Sequence, residues 1–217
     1  VGLSITRTGS HRHSELHSRP ANVRVSVSLP SRDTSAAAVT DGAWPAGRRR
    51  SSLGRMSIDP MKYRQVLGHF PTGVTVVTGI LDGEPVGFTI GSFTSVSLDP
   101  PLVGFLPMVT SDRWHKIRES GSFCVNVLGH GHGDLCWQFA KSSIEHPFEG
   151  VAWHPSDITG SPVLDAAIAY MDCTIDEVYD AGDHHFVMGR VVELEHADPA
   201  TEPRPLLFYK GGLGRFQ

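Results

Sequence analysis

Val74-Thr75-Val76-Val77-Thr78-Gly79-Ile80-Leu81-Asp82-Gly83-Glu84-Pro85-Val86-Gly87-Phe88-Thr89-Ile90 decides the fold. Val74 to Thr78 is β-branched throughout and reads as a strand. Asp82-Gly83 is the strongest short signal for a tight hairpin turn. Val86 to Thr94 reads as the return strand. Gly87 and Gly91 lie inside it, where bare backbone suits a bulge or the close approach of a ligand. Working outward, strands are expected at Leu102–Leu106, Phe123–Leu128, Ala166–Val178, His185–Val192 and Leu206–Tyr209. Asp59-Pro60 opens a helix, with Asp at the cap and Pro in the first turn. Met61, Tyr63, Val66, Leu67 and Phe70 follow at near-helical spacing, and Pro71-Thr72-Gly73 ends it. Two further helices are expected, from Ser111 to Gly121 and from Asp134 to Lys141. Six or more short strands with two or three short helices make the chain mainly β. The pattern implies a closed or nearly closed antiparallel barrel with a few peripheral helices.

The 217 residues carry a formal charge of −4, which hides a split. Residues 1–55 hold nine Arg, no Lys and three acids; residues 56–217 hold ten basic and twenty acidic residues. The first segment, with ten Ser and one aromatic residue, cannot bury enough apolar surface to offset its ordering entropy. It is expected to be a disordered or non-native N-terminal extension, with translation beginning at Met56. Its composition also matches an organelle transit peptide. Within it, Val23 to Leu29 alternates with period two, as a short strand would. Residues 56–217 are expected to form one domain. No apolar run reaches the length of a membrane helix. Three scattered cysteines fit a reducing compartment, hence a cytoplasmic location. The acidic domain argues against a nucleic-acid partner.

No GxGxxG, Walker loop, GxSxG or HExxH motif is present, so chemistry must come from weaker constellations. The run Gly87-Phe88-Thr89-Ile90-Gly91-Ser92-Phe93-Thr94-Ser95-Val96-Ser97 interleaves small residues, hydroxyls and rings. It suits a flat heteroaromatic ligand edged by carbonyls, or a phosphate; it also suits an ordinary Ser/Thr-rich strand. In Thr110-Ser111-Asp112-Arg113-Trp114, Thr110 or Ser111 caps a helix whose free amides form an anion site, beside an arginine able to pair with phosphate. An ordinary helix cap has the same sequence. Gly182-Asp183-His184-His185 sets two histidines beside an acid at a strand start, and alternation sends the two rings to opposite faces. His130-Gly131-His132 with Cys136 has no fourth ligand at a diagnostic spacing, so no metal site is expected. Cys124 and Cys173 read as buried small hydrophobes.

The order of these segments resembles the flavin reductase family. The resemblance rests on His69-Phe70-Pro71-Thr72-Gly73-Val74-Thr75-Val76-Val77-Thr78, Gly87-Phe88-Thr89, and the run from Ser92 to Val103. Phe123-Cys124-Val125-Asn126-Val127-Leu128, Phe139-Ala140, Gly182-Asp183-His184 and Pro205-Leu206-Leu207-Phe208-Tyr209 continue it, and together they cover residues 58–216. The resemblance implies an FMN-binding split barrel, a homodimer, and hydride transfer from NADH or NADPH to FMN or FAD. The reduced flavin would supply a partner monooxygenase. A non-enzymatic FMN-binding electron carrier of the same fold is the alternative. By the same resemblance, Gly87, Phe88, Thr89, Ile90, Gly91 and Ser92 lie against the isoalloxazine, and Leu106, Pro107 and Met108 line the flavin. Ser111, Asp112 and Arg113 lie near its phosphate, and the segment from Gln138 through Phe139, Ala140 and Lys141 to Ser142 contacts flavin. Phe208, Tyr209, Lys210 and Gly211 lie near the nicotinamide. His184 is the implied catalytic residue, positioning the nicotinamide or passing a proton; Arg113 and Lys141 are expected to hold phosphate. Leu213 replaces a tyrosine frequent near the family's C-terminus, and no role attaches to His185.

Overall fold

The structure, a computed structural model, describes residues 58–198 and 203–215. The expected strand at Val23–Leu29 and the whole 1–55 segment lie outside the described residues. The chain begins with α1 (Pro60–Leu67), where Asp59 accepts a 3.0 Å hydrogen bond from the Met61 amide. Then come β1 (Thr72–Gly73), β2 (Thr75–Leu81), β3 (Glu84–Ile90), β4 (Thr94–Leu98) and β5 (Pro101–Phe105). The middle of the chain forms α2 (Asp112–Ser120), β6 (Ser122–Leu128), α3 (Gly133–Ala140), β7 (Trp153–Pro155) and β8 (Pro162–Leu164). Two long strands follow, β9 (Ala167–Ala181) and β10 (His184–His196), then β11 (Leu206–Tyr209) and β12 (Gly212–Arg215).

The β2–β3 hairpin turns at Asp82 and Gly83, both at positive φ as a tight primed turn requires. Its return strand is shorter than the sequence implies. β3 stops at Ile90, opposite Thr75 where β2 begins, so no partner remains beyond it. Residues 94–98 leave for another neighbour and pair with β5. The seven-stranded antiparallel sheet runs β3-β2-β6-β9-β10-β5-β4. It curls: Phe88 on β3 lies 6.3 Å from Phe105 on β5, although four strands stand between them in that order. Ser92 Oγ accepts from Leu106 N at 2.9 Å and donates to Leu106 O at 3.3 Å, lacing the two sides without a ladder. The barrel is therefore split along a seam between its two unpaired margins, β3 on one side and β4, backed by β5, on the other.

One core cluster fills the barrel. Phe105 sits edge-on to Phe123 (5.1 Å) and to Trp114 of α2 (5.8 Å), with Val77, Val125 and Val187 around them. A second cluster joins Val76, Leu128, Cys136, Phe139, Leu164 and Leu206 beneath α3. The short strands β7 and β8 and the last hairpin strand β12 were not expected. They pair only with each other or with one short neighbour, and the 141–165 stretch reads as a loop because Pro and Ser punctuate it. A buried polar knot holds β8. Asn126 Nδ2 donates to Thr78 Oγ1 (3.0 Å) and to the carbonyls of Val76 and Pro162, while its Oδ1 accepts from Leu164 N at 2.8 Å. Among the described residues no helix is long and apolar enough to cross a membrane.

Candidate functional site

A cleft of about 550 Å³ opens along the seam, a size suited to a cofactor or small ligand. Three walls form it. β3 supplies Phe88, Thr89 and Ile90; the exit of β5 supplies Leu106, Pro107 and Met108; the α2 start supplies Thr110, Ser111, Asp112 and Arg113. The end of α3 adds Phe139, Ala140 and Ser142, and His184 closes the side on β10. β3 is an edge strand, so one side of its backbone has no ladder partner. Unpaired amides and carbonyls beside apolar rings are what a flat ligand edged with carbonyls and ring nitrogens needs.

The polar groups divide into engaged and available ones. Thr89 Oγ1 donates to Cys136 O at 2.7 Å, and Ser92 is committed to Leu106. The donors read from this stretch of sequence are thus spent on the protein itself. Ser111 caps α2, its Oγ accepting from Trp114 N at 3.3 Å, which leaves its own hydrogen free. Arg113 donates to the carbonyls of Phe139 (3.0 Å), Lys141 (3.4 Å) and Ile144. These carbonyls lie at and beyond the end of α3, which has no partner for them within the helix; that of Lys141 also accepts from Ile144 N at 3.3 Å. Five guanidinium N–H groups less these three leave Nε–H and one Nη1–H for an anion. Partial burial lowers the Arg113 pKa from its usual value, far above neutrality, so the charge is kept.

His184 meets Asp183, with Nδ1 2.7 Å from Asp183 Oδ1. A proton on Nδ1 then points to the carboxylate and leaves Nε2 for a ligand. The hydrogen bond from His184, and after it the ring's charge, holds the Asp183 carboxyl below the usual carboxylate range. Asp183 itself was not on the expected list, although its place beside His184 in sequence is the signal that finds it. Thr110, from the helix-cap run, and Ser142, at the end of the 138–142 segment, line the cleft as well.

Other expected residues lie elsewhere. Gly87 is beneath α3: a Cβ there would sit 2.9 Å from a Phe139 ring carbon, so this glycine makes room for a helix rather than a ligand. Gly91 faces Thr72, and with Phe208, Lys210 and Gly211 it lines a second, apolar groove against α1, of about 990 Å³. Tyr209 is half-exposed, with Lys210 Nζ 5.3 Å from its ring centre. The Lys141 side chain lines a shallow hollow with Asp134 and Trp137, and only its carbonyl turns to Arg113. Cys136 is buried in the second core cluster, and among the described residues no three His, Cys, Asp or Glu side chains gather as a metal group.

Residues 67–217 match the domain described as "flavin reductase like". Over 154 residues the chain is 47% identical to "Flavin-dependent monooxygenase, reductase subunit HsaB" of Mycobacterium tuberculosis (strain ATCC 25618 / H37Rv), covering 71% of this chain and 81% of the relative. Among solved structures, nitrilotriacetate monooxygenase component B from Mycobacterium thermoresistibile is 44% identical. The match spans 72% of this chain and 86% of that one with a TM-score of 0.69. The Streptomyces globisporus C-1027 NADH:FAD oxidoreductase SgcE6, solved in complex with NAD and FAD fragments, is 35% identical. That match covers 73% and 93% of the two chains, with a TM-score of 0.68.

Proposed function

This chain belongs to the flavin reductase-like family, and from that premise we propose that its seam cleft is where hydride passes from NADH or NADPH to FMN or FAD. The chain is an oxidoreductase of the flavin reductase kind, and its reduced flavin serves a monooxygenase partner. The flavin supplies two-electron acceptor chemistry, while the nicotinamide gives up hydride and leaves oxidised. The residues here do the rest. Phe88, Ile90, Leu106, Pro107 and Met108 hold a flat ring and exclude water. The unpaired edge of β3 meets the ring's polar rim. Thr110, Ser111, Ser142 and the two spare N–H groups of Arg113 take the phosphate end. His184, held by Asp183, presents Nε2 where a nicotinamide is positioned or a proton passed. The observation that carries this reading is the convergence of twelve expected site residues on one cleft at the split in the barrel.

The second copy of a homodimer is assigned to α1. Met61, Tyr63, Val66, Leu67 and Phe70 are all more than half exposed, and α1 buries no residue within its own chain. A face of this kind calls for a partner. Three buried, unpaired cysteines support a cytoplasmic location. Residues 56–217 are taken as the active domain.

The test is oxidation of NADH and of NADPH by the full chain, with and without added FMN or FAD. Turnover that requires added flavin is expected. A flavin that stays bound and takes no hydride from either nicotinamide would instead indicate an electron carrier. Absence of flavin binding would remove the cleft from consideration.

A further inference from the structure

His184 and His185 are adjacent on β10, and their rings part. His184 faces the cleft; His185 is 8% exposed and lies behind it, against α2. His185 Nδ1 accepts a hydrogen bond from Trp114 Nε1 at 2.9 Å, and Trp114 is fully buried. The His185 amide donates to Pro107 O at 3.0 Å, and next to it Val109 N donates to Asp183 O at 3.1 Å. Met108 and His184 form an isolated bridge between the same two segments. One residue therefore joins three parts of the cleft lining from behind. Its main chain holds the 106–109 wall, its ring holds the helix that carries Ser111, Asp112 and Arg113, and its chain neighbour is His184.

We propose that His185 is the positioning residue of the site, fixing the separation of His184 from Arg113 through its acceptor bond to Trp114. The chemistry is specific. An indole N–H buried without an acceptor loses its hydration with nothing in return, so Trp114 needs a lone pair at this place. The Nδ1 of His185 supplies it, which puts the ring proton on Nε2. That atom lies 3.6 Å from Oδ1 of the exposed Asp180. A side chain lacking an acceptor lets the start of α2 shift to recover hydration for Trp114, and the wall formed by residues 111–113 shifts with it. The inference rests on the flavin reading of the cleft.

The test uses the full chain and two variants. His185→Asn keeps an acceptor oxygen as many bonds from Cα as Nδ1; His185→Leu keeps the bulk and no acceptor. The Trp114 indole N–H resonance, assigned with Trp114→Phe, should stay downfield in the parent and His185→Asn and move upfield in His185→Leu. The flavin KM of His185→Leu should rise about tenfold, the upper range for one lost neutral hydrogen bond, with kcat within about twofold; His185→Asn should restore most of that loss. A parent-like KM in His185→Leu, its indole resonance shifted, overturns the assignment. If His185→Leu does not fold, His185→Asn decides: a parent-like indole signal with a parent-like KM supports it, and the same signal with a raised KM overturns it. A parent without flavin-dependent turnover overturns the flavin reading instead, and this assignment with it.

Discussion

The proposed site gives Arg113 two duties with one planar fork. Three of its N–H groups hold the carbonyls that follow α3, and two remain for a phosphate. A lysine at this position is a point charge and cannot span carbonyls at 139, 141 and 144 together. Arg113→Lys is therefore expected to raise the flavin KM about tenfold, close to the effect of Arg113→Ala, while kcat at saturating flavin stays nearly unchanged. Steady-state kinetics over a range of flavin concentrations checks it; a lysine variant with parental KM would mean the charge alone matters. Asp183→Ala should lower kcat by a factor of a few, because the His184 ring loses the partner that fixes its proton. The lowered carboxyl pKa means this pairing is complete above the ordinary carboxylate range and is lost only as pH falls through the lowered value. Hence the advantage of parent over variant should shrink in acid as the Asp183 carboxylate is protonated, which parallel pH–rate profiles would reveal. At this scale the sequence was partly legible. Strand alternation separates His184 from His185, but nothing local says that the hydroxyls of Thr89 and Ser92 are spent on Cys136 and Leu106. Those partners lie 47 and 14 residues away.

The knot under β8 shows how an element with only three residues stays in place. Asn126 satisfies both ends of its amide there, on the Val76 and Pro162 carbonyls, the Thr78 hydroxyl and the Leu164 amide. Asn126→Ala leaves these buried groups unmatched and should cost about 1–3 kcal/mol, read as a lower urea midpoint with an unchanged slope. Gly87→Ala should also destabilise, by about 1–3 kcal/mol, since its methyl meets Phe139 rather than empty space. Flavin KM measured on the folded variant separates this from a ligand contact: a stable protein with lost flavin affinity would return Gly87 to the site. The caps and turns of α1, α2 and the β2–β3 hairpin were readable because each is decided within a few residues. The break after Ile90 was not, because the chain changes partners there and both partners are remote. β7 and β8 escaped notice because three-residue strands have no periodicity to detect.

Across the whole molecule, the sheet order was the least legible feature, since every neighbour of β9 and β10 other than their mutual hairpin comes from far along the chain. The barrel class itself followed from strand number and turn spacing. Three thiols lie inside, and burial pushes all three pKa values up, Cys124 and Cys173 furthest. Native protein should not react with a thiol reagent at neutral pH until it is unfolded, when three equivalents should react. The homodimer proposed through the apolar face of α1 makes a second expectation: Leu67→Glu should shift sedimentation towards monomer. The split seam has a consequence of its own. β9 and β10 sit inside the sheet, flanked on both sides, whereas β3 and β4 are its two margins. Amide hydrogen exchange should then be slowest at the centre of the barrel and fastest along the seam, because opening a margin exposes little core. A flavin bound there adds its binding free energy first to the strands that hold the least protection of their own. The bound and free protein should therefore differ most in exchange at residues 88–90 and 106–108. On the proposed reading, the part of the fold that opens most readily is also the part that the ligand closes.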